Sequence, residues 1–175
     1  QRLEDKYDSE PEKFRAIFPE SASIIHQEIA NLRELVKSFS VFAKQKQPDE
    51  SIFNPAEYLT EIVKPYQHKY QIICELNDCM IKFDQNHFYQ IVTNVLQNAI
   101  DASGVDNPII IKLFPSKSFV VLQIIDEGAG ISKEDLMKIF EPYFSTKKHG
   151  TGLGLALVKN LVELNKGYIR VHSRI

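Results

Sequence analysis

From Phe18 the apolar residues recur at Ala22, Ile25, Ile29, Leu32, Val36, Phe39 and Ala43, in alternating steps of 4 and 3. That is a heptad seam. No proline or glycine interrupts it after Pro19, so the spacing predicts one helix of roughly seven turns whose stripe requires a partner helix. Residues 1–8 read as the end of an earlier helix, and Ser9-Glu10-Pro11 as the turn that follows it. The pattern breaks at Gln47-Pro48-Asp49-Glu50-Ser51, and Asn54-Pro55 then supplies a cap and a first helical residue. Beyond this point the periodicities predict a helix over 54–68, strands over 70–76 and 80–83 and a helix over 85–103. Strands over 108–114 and 118–126 follow, joined by the turn Pro115-Ser116-Lys117-Ser118. A short helix over 133–139, an irregular stretch over 140–150, a helix over 151–165 and a strand over 167–173 complete the reading. The expected organisation is a helical segment 1–47, a linker 48–53 and a domain 54–175 built as an α+β two-layer sandwich.

Glycine placement sharpens this picture. None of the seven glycines precedes residue 104, and five fall in Asp126-Glu-Gly-Ala-Gly130 and Gly150-Thr-Gly-Leu-Gly154. Lys and Arg number 21 against 23 Asp and Glu, a net charge of −2, which offers no broad basic surface for a nucleic-acid backbone. Two cysteines, Cys74 and Cys79, are too few for a disulfide framework and lack zinc-site spacing, so a reducing, cytoplasmic setting is expected. No run approaches the roughly 20 apolar residues of a membrane span. No membrane contact by this segment is therefore expected, whether or not a parent protein is anchored.

On the helix 85–103, Phe88, Ile91, Val92, Val95, Leu96, Ala99 and Ile100 form the apolar side. Asn94, Asn98 and Asp101 stand together at steps of 4 and 3. Such a stripe alone describes a solvated face. A side-chain carbonyl is also a hard oxygen ligand suited to Mg²⁺, which completes its shell with water and nucleotide phosphates. Asp126 ends a strand and is followed by glycines that let backbone pass close to a planar base. A carboxylate there can accept a hydrogen bond from the exocyclic amine of adenine and would repel the carbonyl of guanine. Gly150 to Gly154 open a helix, so backbone N–H groups and the positive end of its dipole converge on an anion site. It has neither the Gly-Lys-Ser/Thr of a P-loop nor a preceding strand. Between the glycine runs, Phe140-Glu-Pro-Tyr-Phe144-Ser-Thr-Lys147-Lys148-His149 reads as a lid pinned by aromatics. Lys147 and Lys148 are its candidate counter-charges for phosphate, although Lys148 by itself reads rather as a solvated surface residue.

Four motifs in this order, Asn94-Val-Leu-Gln-Asn98-Ala-Ile-Asp101-Ala, Asp126-Glu-Gly-Ala-Gly130, Phe140-Glu-Pro-Tyr-Phe144 and Gly150-Thr-Gly-Leu-Gly-Leu155, resemble the N, first glycine, F and second glycine boxes of bacterial sensor histidine kinases. Residues 25–46 resemble the second helix of the kinase dimerisation hairpin, and 35–43 with the short lid 145–149 are similar to the NtrY and NtrB branch. The resemblance implies a Bergerat-type ATP-binding fold, ATP and Mg²⁺ as cofactors, a homodimer formed through the helix 18–43, and a response regulator as partner. It implies that Asn98 ligates Mg²⁺, Asn94 supports the triphosphate, Asp126 with Gly128 and Gly130 reads adenine, and Gly150, Thr151, Gly152, Leu153 and Gly154 hold phosphates. Asp101, Phe140, Thr146 and Lys147 complete the nucleotide-binding set, with Asn94 and Lys147 as the catalytic pair.

The sequence departs from the family at both ends. None of its histidines, His26, His68, His87, His149 and His172, is followed by the Glu/Asp-x-x-Asn/Thr-Pro of the phosphoacceptor box. The strand pair that normally ends the domain stops short after His172-Ser-Arg-Ile175. The expectation is a catalytic fragment that would transfer the γ-phosphate of ATP to a histidine on a helix outside this chain. Two alternatives stand beside it. A hydrolysing ATPase of the same superfamily needs a glutamate base near the Mg²⁺ asparagine, where this chain has Asn94. A degenerate nucleotide-binding interaction module is countered by the intact boxes.

Overall fold

The computed structural model describes residues 15, 17–29, 33, 47–147 and 150–175. The chain divides into two compact units, Gln1–Ala43 and Lys44–Ile175. In the first, residues 17–29 are helical, with Phe18 50%, Ile25 52% and Ile29 45% exposed. Ile25 and Ile29 leave apolar surface exposed within their own unit. The expected earlier helix over 1–8, the turn at Ser9-Glu10-Pro11 and every seam residue beyond Ile29 lie outside the described residues.

The second unit begins with β1 (Glu50–Phe53), α1 (Pro55–Val63), β2 (Ile72–Leu76) and β3 (Ile81–Asp84). It continues with α2 (Gln85–Ser103), β4 (Ile109–Ser116), β5 (Phe119–Ile125), α3 (Lys133–Leu136) and α4 (Gly154–Leu164). β4 is central to a three-stranded sheet, parallel to β2 and antiparallel to β5. β1 and β3 form a separate antiparallel pair. The alternation on β4 puts Ile109, Ile111 and Leu113 inward, each at most 1% exposed, where they meet Leu59 and Val63 of α1 and Val92, Leu96 and Ala99 of α2. Helices on one face of a mixed sheet give the two-layer α+β arrangement expected. Cys74 and Cys79 are free and partly buried, and desolvation pushes both thiols up, with the Asp78 charge adding to the rise at Cys79.

Three expectations need correction. The stretch expected as linker, 48–53, contains β1, because Glu50 to Phe53 find hydrogen-bonding partners in Ile81 to Asp84. The first helix of this unit stops at Val63 and passes into turns rather than reaching 68, since Pro65 has no N–H to continue the ladder. The last strand, expected over 167–173, is absent. Its segment meets the β5 side through the Tyr168 ring against Phe119, centroids 5.8 Å apart, and through the Ile131 N–H donating to Ser173 Oγ at 2.8 Å. A strand requires a backbone ladder, which these side-chain contacts do not make.

The helix α2 carries the site, and its start is fixed by Asp84, 5% exposed. Asp84 Oδ1 accepts the N–H groups of Asn86 at 2.8 Å and His87 at 3.0 Å, while Oδ2 accepts that of Asp49 at 2.8 Å. Burial alone would raise this carboxyl. The N–H groups of His87, Asp49 and Asn86 and the nearby His87 ring outweigh it and hold the pKa below the ordinary value. Asp84→Ala removes a cap and strands the Asp49 N–H, an expected loss of about 2–4 kcal/mol. Because the folded carboxyl ionises at lower pH than the unfolded one, its contribution is complete above about pH 3.9 and disappears as pH falls through the folded value. Urea midpoints of wild type and Asp84→Ala should therefore differ most near neutrality and converge in acid; a gap that widens in acid would contradict this assignment.

Candidate nucleotide-binding site

The expected polar stripe forms, and α2 serves as its spine. Asn94 Nδ2 donates to the Gln90 carbonyl at 2.7 Å, which fixes the amide and turns its Oδ1 toward the start of α4. A Cβ placed on Gly154 would lie 3.1 Å from that oxygen. One turn on, Asn98 Oδ1 accepts the Lys147 ammonium at 3.1 Å, and Asp101 Oδ2 accepts it at 2.8 Å. Asp101 Oδ1 accepts Gln97 Nε2 at 2.7 Å. A Cβ on Gly128 would lie 2.6 Å from Ala102 Cβ and 2.8 Å from its carbonyl oxygen, so the first glycine run rests on the next residue of the same helix. The second glycine run, the lid and the first glycine run thus meet α2 in turn between residues 94 and 102, a span of about 12 Å.

Asp126 is exposed at the end of β5. Its Oδ1 accepts the Gly128 N–H at 3.0 Å, a local turn that orients the carboxylate and leaves Oδ2 able to receive a donor. Gly152 has φ +67°, and a Cβ there would collide with the Tyr143 and Phe144 backbone. The Tyr143 N–H donates to the Gly152 carbonyl at 3.0 Å, so the aromatic stretch clamps the glycine run as expected of a pinned loop. α4 begins with Leu153 in the cap position and no side chain capping it, which leaves its first N–H groups available to an anion. The neighbouring Leu153 N–H donates weakly to Thr151 Oγ1 at 3.4 Å.

Other expected residues stand differently. Gly130, at φ +76°, lies against the Arg174 carbonyl, where a Cβ would collide. Phe140 is partly buried, and the contact described for it is with the Lys159 ammonium, 5.9 Å from the ring centre. No described bond joins it to Asn94, Asn98 or Asp101. Thr146 is exposed in the lid, and Gly150 donates to the Lys147 carbonyl at 3.2 Å. Lys148 and His149 lie outside the described residues. Gln90 was not singled out by sequence, yet its Oε1 is buried with no hydrogen-bond partner among the described residues. It precedes Asn94 by one more step of 4, so extending the stripe back one turn would have found it.

The donor set fits a small hard cation. Asn98 Oδ1 and the Asp101 carboxylate already gather a positive charge, the Lys147 ammonium, at hydrogen-bond distance. Both ends of that ion pair are partly exposed, so it is worth at most about 1 kcal/mol and can exchange.

Comparisons with known proteins bear on the family and the fold. The profile of the family described as "Histidine kinase-, DNA gyrase B-, and HSP90-like ATPase" matches residues 83–175. Sporulation kinase D of Bacillus subtilis is 28% identical over 183 aligned residues, covering all of this chain and 35% of that protein. Sensor histidine kinase ZraS of Escherichia coli K12 is 30% identical over 167, covering 94% of this chain and 36% of its own length. The chain thus spans about a third of these curated relatives. Among solved structures, the catalytic domain of histidine kinase ThkA superposes with a TM-score of 0.62 at 28% identity, over 67% of this chain and 82% of that one. ThkA in complex with response regulator protein TrrA gives 0.73 at 25% identity, over 93% of this chain and 48% of that one. The chain belongs to the family of histidine kinase-, DNA gyrase B- and HSP90-like ATPases, and its second unit has their ATP-binding fold.

Proposed function

We propose that this chain is the ATP-binding catalytic part of a sensor histidine kinase, working with Mg²⁺ and donating the γ-phosphate of ATP to a histidine on a dimerisation helix. The observation that carries this reading is the alignment along α2 of Asn94, Asn98 and Asp101 with the uncapped start of α4 and the lid lysine. In it, Asp126 Oδ2 receives the adenine amine while Oδ1 keeps its own turn. The N–H groups at the start of α4 receive phosphate oxygens. Asn98 would hold the metal, and Asn94, its amide fixed by Gln90, would face the phosphates beside Gly154. Bound Mg²⁺ supplies charge neutralisation on the phosphate oxygens. Lys147, which shares Asn98 and Asp101 through a partly exposed pair, would serve as a counter-charge to the phosphates.

The absence of a glutamate at position 94 favours transfer over hydrolysis, because no carboxylate stands there to activate water. Two relatives that cover most of this chain are named as kinases, and ThkA is named with a response regulator. These names support relay to a response regulator. The exposed seam residues Ile25 and Ile29 support a homodimer through the helix 18–43. A branch like NtrY and NtrB rests on the sequence of 35–43 and of the lid. Among the described residues no helix is long and apolar enough to cross a membrane.

Calorimetric titration with ATP tests the reading. Wild type should bind with an affinity that rises with Mg²⁺, and a silent titration would overturn it. Asn98→Ala should keep the fold, since the residue lies on a partly exposed helix face, and lose most of the Mg²⁺ dependence. Unaltered dependence in that variant would remove Asn98 as the ligand.

A further inference from the structure

Among the described residues of the second unit, three polar ones are buried: Asp84, Ser103 and Asn165. Asn165, 9% exposed at the end of α4, has both side-chain ends in use. Its Oδ1 accepts the Asp84 N–H at 3.1 Å. Its Nδ2 donates to the Leu161 carbonyl at 2.7 Å and meets His87 Nδ1 at 2.9 Å. The second contact requires a lone pair on Nδ1, so His87 carries its proton on Nε2, 3.9 Å from Asp84 Oδ2. Asp84 in turn caps α2 and accepts the Asp49 N–H. One buried network therefore joins the start of α2, the end of α4 and the backbone just before β1.

The same two helices touch again at the nucleotide site, where Asn94 Oδ1 faces Gly154. Ten residues separate Asp84 from Asn94 and eleven separate Gly154 from Asn165, about 15 and 16 Å of helix. The helices run antiparallel with matched spans between two tie points, so a shift at one end is carried to the other by rigid rods. The near end has little slack, since a single Cβ on Gly154 would already press on Asn94.

We propose that Asn165 is a positioning residue of the nucleotide site: by locking the end of α4 to the start of α2 through Asp84 and His87, it sets the register of Gly154 against Asn94. This rests on the nucleotide reading above for its functional consequence, but the register itself is measurable without nucleotide. Capping α2 does not explain the arrangement, because Asp84 caps that helix through its own carboxylate and Asn165 contributes nothing to the cap. What Asn165 adds is the cross-link between helices.

The test compares Asn165→Ala with Asn54→Ala, which removes the side-chain cap of α1 and shares no partner with the network. Two readouts are taken at a temperature where circular dichroism shows each variant folded. In nucleotide-free protein, ¹⁵N-resolved NMR follows the Asn94 side-chain amide and the Gly154 N–H. Titration with a fluorescent ATP analogue and Mg²⁺ then gives affinity. Asn165→Ala should shift both resonances and weaken binding about 3- to 10-fold, whereas Asn54→Ala leaves both as in wild type. Asn165→Ser keeps a small polar side chain at the position while losing the donor that reaches His87, and it should move the same resonances less. It keeps the question open to measurement if Asn165→Ala does not fold. Wild-type resonances at Asn94 and Gly154 in a folded Asn165 variant would overturn the proposal. Failure of wild type to bind nucleotide would instead overturn the nucleotide reading and leave the resonance test standing.

Discussion

Asp126→Asn is expected to lower ATP affinity about 10- to 100-fold, on the order of 1.5–3 kcal/mol for a lost charge-assisted hydrogen bond. The variant isolates recognition from folding. Asn retains an Oδ1 that can still accept the Gly128 N–H, now at 3.0 Å, so the turn at the end of β5 persists. What changes is the second position, where Oδ2 becomes an amide that meets the adenine amine donor to donor. Asp126 is exposed, so the substitution creates no cavity and unfolding midpoints should stay close to wild type. Fluorescent-nucleotide titration of the folded variant checks the result. Unchanged affinity would take adenine recognition away from Asp126, and a gain for guanosine nucleotides would show that the position reads the base in reverse.

How far the sequence disclosed this structure differs from element to element. α2 was legible over its whole length, Gln85–Ser103, because its apolar steps are regular, Asp84 supplies the cap, and Gly104 at φ +70° ends it. The hairpin of β4 and β5 was legible for a similar reason, its turn lying where two branched runs meet, although Lys117 rather than a glycine takes the positive φ of 51°. β1 was not legible. Four residues after a proline carry no period of their own, and pairing with Ile81–Asp84 is a long-range choice made by the partner. The final segment shows the opposite error, since Tyr168 to His172 has strand-forming composition without a ladder to join. Within the site, each motif was recognisable from glycine and asparagine spacing. The contacts between motifs were not, because Lys147 reaches Asn98 and Asp101 across almost fifty positions, and Asn165 reaches Asp84 across eighty-one.

Incubation of the purified chain with γ-labelled ATP is expected to give no acid-labile phosphohistidine, the all-or-none outcome among these predictions. Phosphoryl transfer needs an imidazole placed in line with the γ-phosphate and a neighbouring group that takes up its developing positive charge. His26 is the histidine on the predicted dimerisation helix, and residues 17–29 around it are helical. Its Nδ1 lies 3.0 Å from the Ala22 carbonyl, a contact that requires the proton on Nδ1 and leaves the lone pair on Nε2. That nitrogen could act as a nucleophile in principle. The residue after it, however, is Gln27 rather than Glu or Asp, so no adjacent carboxylate stabilises the imidazolium that attack would create. His87 has its Nδ1 lone pair engaged by Asn165 in a partly buried position, which keeps it from an incoming phosphate. Label should appear only when a second polypeptide bearing an acceptor histidine, followed by an acidic residue on a matching helix, is added to the reaction. Stoichiometric label on His26 in the isolated chain would show that a neutral neighbour suffices and that this chain is a kinase core with its own acceptor.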